Sequence, residues 1–296
     1  MHSWVSCQLS GARWPAMSCR VFVAAALLGL ASLRAQESES LAERGLKQLI
    51  EQQQALMAEA AKENPKFDEE AFAQQMEQVC RGYEALLRAN PNLAQGYAAY
   101  GYLLSKLDQR KQAIVMLLKA NELDPNQPLV KNQIGNYLAE EGKPLEAVNY
   151  FLAAIKLAPR EPLYHYQLGT LLHEARDDFI TSGEWKADAI DRAIHHAFRQ
   201  AAELAPDRIE FTYRYAESFY EMNPPDWDGA LKAWSELEEK APTPVERETM
   251  RLHAANVLIK QDKRDHARAL LETVQEPALQ TQKQKLLDQL AKPAES

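Results

Sequence analysis

A 34-residue period constrains this chain more than any other feature. Gly101, Gly135 and Gly169 stand 34 residues apart, and Pro125 and Pro159 share that spacing. The clearest unit runs from Pro128 to Glu161, PLVKNQIGNYLAEEGKPLEAVNYFLAAIKLAPRE. It holds two short amphipathic stretches at helical spacing, with Ile134, Gly135 and Leu138 on the first and Ala147, Phe151 and Ala154 on the second. Pro159 closes the unit, since proline has no N–H to donate and disfavours helix just before it. The preceding segment repeats the frame with Tyr97, Tyr100, Gly101, Leu104, Ala113, Leu117, Ala120 and Pro125, and the following one restarts at Pro162 with Leu168, Gly169 and Leu172. One such unit cannot bury its apolar face alone, whereas stacked neighbours can.

Composition agrees with helix throughout. The 296 residues include only 11 glycines, and β-branched residues are sparse beside Ala, Leu, Glu and Gln. The net charge is −8, and no run of basic residues occurs. That argues against a nucleic-acid binder, because phosphate affinity needs clustered Lys and Arg. The same balance argues against a binder of anionic membrane surfaces.

The pattern resembles the tetratricopeptide repeat, W-x2-L-G-x2-Y followed by A-x3-F and then P over about 34 residues. The resemblance implies an all-α fold, a right-handed α-α superhelix of about five to six helix hairpins ended by a capping helix. The Gly and Ala positions are where the two helices of a hairpin cross most closely. The large apolar positions fill the space between one hairpin and the next.

Taken in order, residues 1–35 read as a signal peptide. Val21 to Ala31 is an apolar run preceded by Arg20 and followed by Leu33, Arg34 and Ala35, with cleavage expected after Ala35. Met17 is the cleaner start. The run is too short to span a bilayer well, so no integral membrane segment is expected after cleavage. The mature chain keeps one cysteine, Cys80, which reads as a packed thiol. Export to a periplasm or to the outside follows as an expectation.

Residues 36–91 read as a degenerate first hairpin, a helix from Leu41 to Asn64 and a second from Asp68 to about Ala89. Terminal repeats are usually atypical, because one face meets water. Self-assembly through 41–64 is an alternative use of that first helix. Residues 92–277 are the repeat array. Its fourth unit closes at Pro206, 13 residues late, with an insertion at about 175–190 that both helices are expected to carry past the edge, packed by Phe179, Ile180 and Trp185. Insertions of this kind often mark a binding face. Residues 278–296 read as a capping helix and tail.

The sequence has no Gly-rich phosphate loop, no H-E-x-x-H, no G-x-S-x-G and no paired-cysteine metal spacing. No catalytic residue, metal or cofactor is expected. The alternative is an accessory subunit, or a weak metal element around His173 and Asp177, one helical turn apart in the insertion. The resemblance instead implies a protein-interaction scaffold, in which the first helices line a groove for a peptide or protein partner. Carried over position by position, the groove contains Tyr102, Asn132, Asn136, Tyr166, Thr170, His173, Tyr213, Glu217, Tyr220 and Glu221. Asn132 and Asn136 have donors and acceptors for a peptide backbone. The tyrosines offer flat contact area with a polar tip. The Glu217 and Glu221 end favours a basic partner. The Lys/Arg set of the family's carboxylate clamp is missing, so C-terminal carboxylate capture in that manner is not expected.

Overall fold

The computed structural model describes residues 40–62 and 68–291. Residues 1–39, where a signal peptide is expected, residues 63–67, which hold Pro65 and the expected end of the first helix, and the last five residues lie outside the described residues. Those described contain fourteen α-helices and no strand. They fall into two compact units, one ending at Gln109 and one beginning at Arg110.

The first unit contains α1 (Leu41–Ala60), α2 (Glu69–Ala89) and α3 (Ala94–Lys106). Ser40 opens α1 in a capping box with Glu43, which satisfies two donors that the first turn would otherwise leave unpaired. α1 packs on α2. Leu46 and Gln53 are buried, and the Gln53 amide oxygen accepts a 2.8 Å hydrogen bond from the Tyr83 hydroxyl. Gly82 lies so close under Leu49 that a Cβ there would meet its Cδ2 at 2.5 Å. Four more apolar residues of α1, Leu49, Ile50, Leu56 and Met57, stay half-buried. Tyr83 stacks on Tyr100 of α3 at 5.2 Å. Cys80 is a half-buried free thiol, its pKa raised by burial and by the neighbouring carboxylates of Glu84 and Glu77.

The second unit contains α4 (Arg110–Leu123), α5 (Pro128–Glu140), α6 (Pro144–Leu157), α7 (Pro162–Glu174), α8 (Arg176–Thr181), α9 (Ala187–Leu204), α10 (Ile209–Ser218), α11 (Trp227–Lys240), α12 (Pro244–Lys260), α13 (Arg264–Glu272) and α14 (Gln280–Ala291). Proline opens α5, α6, α7 and α12, where its missing N–H costs nothing. The pairs α5/α6, α7/α9, α10/α11 and α12/α13 pack together, and each pair packs on the next. Small residues sit at the crossings: Ala147, Ala154, Ala201, Ala216, Ala230, Ala255 and Ala267 are all fully buried. The last helix, α14, lays Leu290 into the end of the stack, and the Arg264 guanidinium donates to the Leu290 carbonyl.

Two endings show the repeat down to the backbone. After α5, Gly142 has φ +70°, and Lys143 N–H donates to the Leu138 carbonyl at 2.9 Å. One period earlier, after α3, Asp108 has φ 57° and Gln109 N–H donates to Leu104 at 2.9 Å. A left-handed residue that lets the next N–H reach back to the penultimate turn closes a helix with its carbonyls satisfied. The same bond recurs after α12, at Asp262 and Lys263, although that unit has lost its periodic glycine.

Gly135 and Gly169 hold the tightest crossings. A Cβ at Gly135 would meet the Phe151 ring at 2.9 Å, and one at Gly169 the Phe198 ring at 2.8 Å. Both rings are almost fully buried and cannot swing aside. Gly135→Ala is therefore expected to destabilise the fold by about 1–3 kcal/mol, even though alanine favours helix by about 1 kcal/mol. Urea unfolding checks this, and Phe151→Leu in the same chain should recover part of the loss. A Gly135→Ala variant more stable than wild type would show that the crossing has slack.

The insertion differs from the expected shape. α7 has the same 13 residues as α5 and does not extend. The extra chain forms the separate helix α8, a turn at Gly183 (φ +77°) and an added first turn of α9. Phe179 is fully buried in the core formed by α6, α7 and α9, edge-on to Trp185 at 5.8 Å. Neither side chain is held out toward a partner: apolar rings of this size gain more by filling the end of the hairpin than by facing water.

Candidate functional site

The first helices of successive hairpins meet along one face of the second unit. On α7, the Tyr166 ring stacks on Phe211 of α10 at 4.7 Å. Burial pushes the Tyr166 hydroxyl up to about 12, and the nearby Glu210 carboxylate adds to the shift. The Thr170 hydroxyl donates to the Tyr166 carbonyl at 3.0 Å, so it is used within its own helix. One turn on, His173 Nδ1 lies 3.1 Å from Glu221 Oε1, tying the end of α7 to the short 3₁₀ turn after α10. The His173 imidazole engages Glu221, not Asp177, whose side chain is 98% exposed. Among the described residues, no group of three or more His, Cys, Asp or Glu side chains is arranged to hold a metal ion.

Further along, four rings from α10, the 3₁₀ turn after it, α11 and α12 close on one another. The Tyr213 hydroxyl lies 2.9 Å from His253 Nε2, and the Tyr220 hydroxyl 3.5 Å from His253 Nδ1. The His253 ring stacks on Trp234 at 4.1 Å with 9° between planes, and Tyr213 meets Trp234 edge-on at 5.1 Å. A neutral imidazole has one donor and one acceptor nitrogen, which suits two tyrosine hydroxyls that can each do either. Burial lowers the His253 pKa to about 4 and raises that of Tyr220. Beside the cluster, Arg214 donates to Glu217 at 2.5 Å, and its guanidinium lies 5.0 Å from the Phe198 ring centre.

The remaining groove positions are placed unevenly. Asn136 is half-buried on α5. Asn132 is 0% exposed, and neither its Oδ1 nor its Nδ2 has a hydrogen-bond partner among the described residues. It cannot meet a peptide backbone as an open-groove residue; neighbouring helices cover a position that the repeat alone would leave facing out. Tyr102 belongs to the first unit, where the Lys106 ammonium lies 5.3 Å from its ring centre. Sequence reasoning missed His253 and Trp234. Extending the same repeat positions into the sixth unit, counted from Val245, would have found His253.

Residues 94–127 and 130–161 match the family profile described as "Tetratricopeptide repeat". These residues are therefore tetratricopeptide repeats, set within a fold of helical hairpins. Solved structures agree on the fold. The tetratricopeptide protein YrrB, described as having an unusual peptide-binding site, aligns over 72% of this chain and 97% of its own, with 18% identity and a TM-score of 0.56. PilF of Pseudomonas aeruginosa aligns over 83% and 98%, with 14% identity and a TM-score of 0.57. Naa15/Naa10 bound to HypK aligns over 85% of this chain and 34% of that one, with 14% identity and a TM-score of 0.53. No curated protein matches the sequence.

Proposed function

We propose that the protein is a non-catalytic scaffold that holds a basic segment of a partner against the first-helix face of α5, α7 and α10, after export by its N-terminal segment. The observation that carries this reading is the composition of that face. Counted at the same repeat positions, α5, α7 and α10 also carry Glu140, Glu174 and Glu210 beside Glu217 and Glu221, with no Lys or Arg, whereas those positions of α3 include Lys106. Half-buried tyrosines at 166, 213 and 220 are interleaved with these acids. Tyrosine supplies flat contact area at little cost in entropy, and the carboxylates set the sign of the partner's charge. Arg208 pairs with Glu210 and Arg110 with Glu140 in exposed geometry, worth about 0–1 kcal/mol each, so a ligand cation can displace them, whereas the Arg214–Glu217 pair is part-buried and held more firmly. The fold likeness to YrrB supports a peptide as the ligand class. Thr170, His173, Tyr213 and Tyr220 of this face are each engaged in a polar contact within the protein.

Fluorescence anisotropy with a flexible Lys/Arg-rich peptide of about 10 residues, and a Glu-rich counterpart, tests the reading. The basic peptide should bind with strong salt dependence. Glu217→Gln with Glu221→Gln should weaken it about tenfold, and the acidic peptide should not bind at this face. Equal affinity for both peptides, unchanged in the variant, would overturn it.

A further inference from the structure

The opposite side of the second unit is chemically different. Eight large apolar residues are exposed among those described, and five of them lie on α4 and α6: Val115, Leu118, Leu145, Leu152 and Leu157. Val115 is 57% exposed, Leu118 46% and Leu152 45%. They are not the core face of these helices. Ala113, Leu117 and Ala120 on α4, and Ala147, Phe151 and Ala154 on α6, fill that role. On the outer side, Lys111, Val115, Leu118 and Glu122 follow one helical stripe of α4, and Leu145, Asn149, Leu152 and Lys156 follow one stripe of α6. Both helices pack on α5, and Leu118 and Leu152 occupy the same repeat position, so the two stripes run side by side on one face.

The fold does not require apolar residues there. The equivalent positions of α9 are Arg192, His196 and Arg199, and those of α11 are Asp228, Lys232 and Ser235. The outer face turns apolar only where α4 and α6 present it. Its rim is basic in an otherwise acidic chain. Lys111, Lys143, Lys156 and Arg160 are exposed around the stripes. Of the acids nearby, Glu122 is held by Lys119 at 2.9 Å and Glu140 by Arg110 at 3.2 Å, leaving the exposed Glu141 and Glu146 against four cations.

We infer that the outer face of α4 and α6 is a second docking surface, whose occupant is an amphipathic helical segment of a partner with leucine-type residues on one face and acidic residues beside them. Two parallel apolar stripes seat one partner helix laid along them, read through residues at i, i+3, i+4 and i+7. The basic rim selects acidic flanks and rejects basic ones. An anionic lipid surface fits less well, because Glu122 and Glu146 stand in the contact plane. The inference is independent of the basic-partner groove and of opposite charge preference, so either can fail alone.

The test uses the whole protein and three probes: a Leu/Glu amphipathic helical peptide of about 18 residues, its Leu/Lys counterpart, and phosphatidylglycerol vesicles. Leu118→Glu with Leu152→Glu changes exposed side chains only, and circular dichroism verifies the fold. Lys111→Glu with Lys156→Glu gives a second, purely electrostatic variant. The Leu/Glu peptide should bind wild type and lose at least about tenfold in affinity with either variant, while Glu217→Gln with Glu221→Gln leaves it unchanged. Equal binding to wild type and the leucine variant overturns the proposal. So does binding of the Leu/Lys peptide that the leucine variant abolishes. Vesicle binding that depends on Leu118 and Leu152, with no peptide binding, reassigns the face to a lipid surface.

Discussion

Arg176→Ala is expected to destabilise the protein by about 3 kcal/mol, more than Asp191→Ala, although the two residues form one ion pair. The guanidinium at the start of α8 donates twice to the Asp191 carboxylate of α9, Nε to Oδ1 at 2.6 Å and Nη2 to Oδ2 at 3.0 Å. The hydrogen bond to Asp191 is the main cause that raises the Arg176 pKa. The partners are not equally buried: the Asp191 side chain is 9% exposed and that of Arg176 33%. Removing the arginine leaves a carboxylate in the protein with little water and no cation. Removing the aspartate leaves a guanidinium that water already reaches, a cost of about half as much. Arg176→Met with Asp191→Leu should come close to wild type, because an apolar pair pays no desolvation. Urea unfolding of the three variants gives the order. Hydrogen exchange should show the loss concentrated at 176–190, where Phe179 and Trp185 depend on this clasp to stay packed. If Asp191→Ala proved the worse of the single variants, burial of the carboxylate would not be what makes the pair matter.

The clasp also illustrates what the sequence could and could not disclose. The period located the hairpins, and Ala147, Phe151 and Ala154 are buried as their spacing demands, because helical phase decides which side faces a neighbour. The insertion is legible as extra length. Its form was not, since α8 depends on a pair separated by 15 residues, and periodicity has no term for such contacts. The groove shows the same division. Tyr213 and Tyr220 sit on the expected helix and the 3₁₀ turn that follows it, yet both are drawn onto His253, which lies 40 and 33 residues further on in a unit whose glycine is lost. Asn132 is on the expected helix as well, but exposure depends on how large the neighbouring side chains are, and a single repeat does not state that. The charge of the chain as a whole was similarly misleading about its parts: a net −8 coexists with a basic, apolar outer face on α4 and α6.

Lowering the pH from about 7.5 to about 5 is expected to cost the fold up to about 2 kcal/mol at His253 and less at the half-buried His195, which water screens in part. Burial lowers the pKa of His253 to about 4. It does the same to His195, also to about 4, with the positive charge of Arg199 as the next cause. In the unfolded chain both should titrate near about 6.5. Between those values the unfolded state binds more protons than the folded one, so stability falls as pH falls through that window and is complete above it. The geometry explains why charging is costly. His195 Nδ1 lies 3.0 Å from the Ser218 hydroxyl, with Phe219 edge-on at 4.5 Å, and the Asp226 carboxylate, which favours the charged ring, is outweighed by burial and by Arg199. His253 lies between two tyrosine hydroxyls that can stay neutral and still satisfy its nitrogens. Its stacking on Trp234 would recover part of the cost, since an indole face attracts a cation, so His253 should respond somewhat less than burial alone dictates. Urea midpoints at the two pH values for wild type, His253→Gln, His195→Gln and the double variant isolate the effect from that of the carboxylates. The pH-dependent loss should shrink by up to about 2 kcal/mol with His253→Gln and by less with His195→Gln, even though each variant is less stable than wild type at neutral pH. A double variant that loses as much stability as wild type would assign the acid sensitivity to the carboxylates instead.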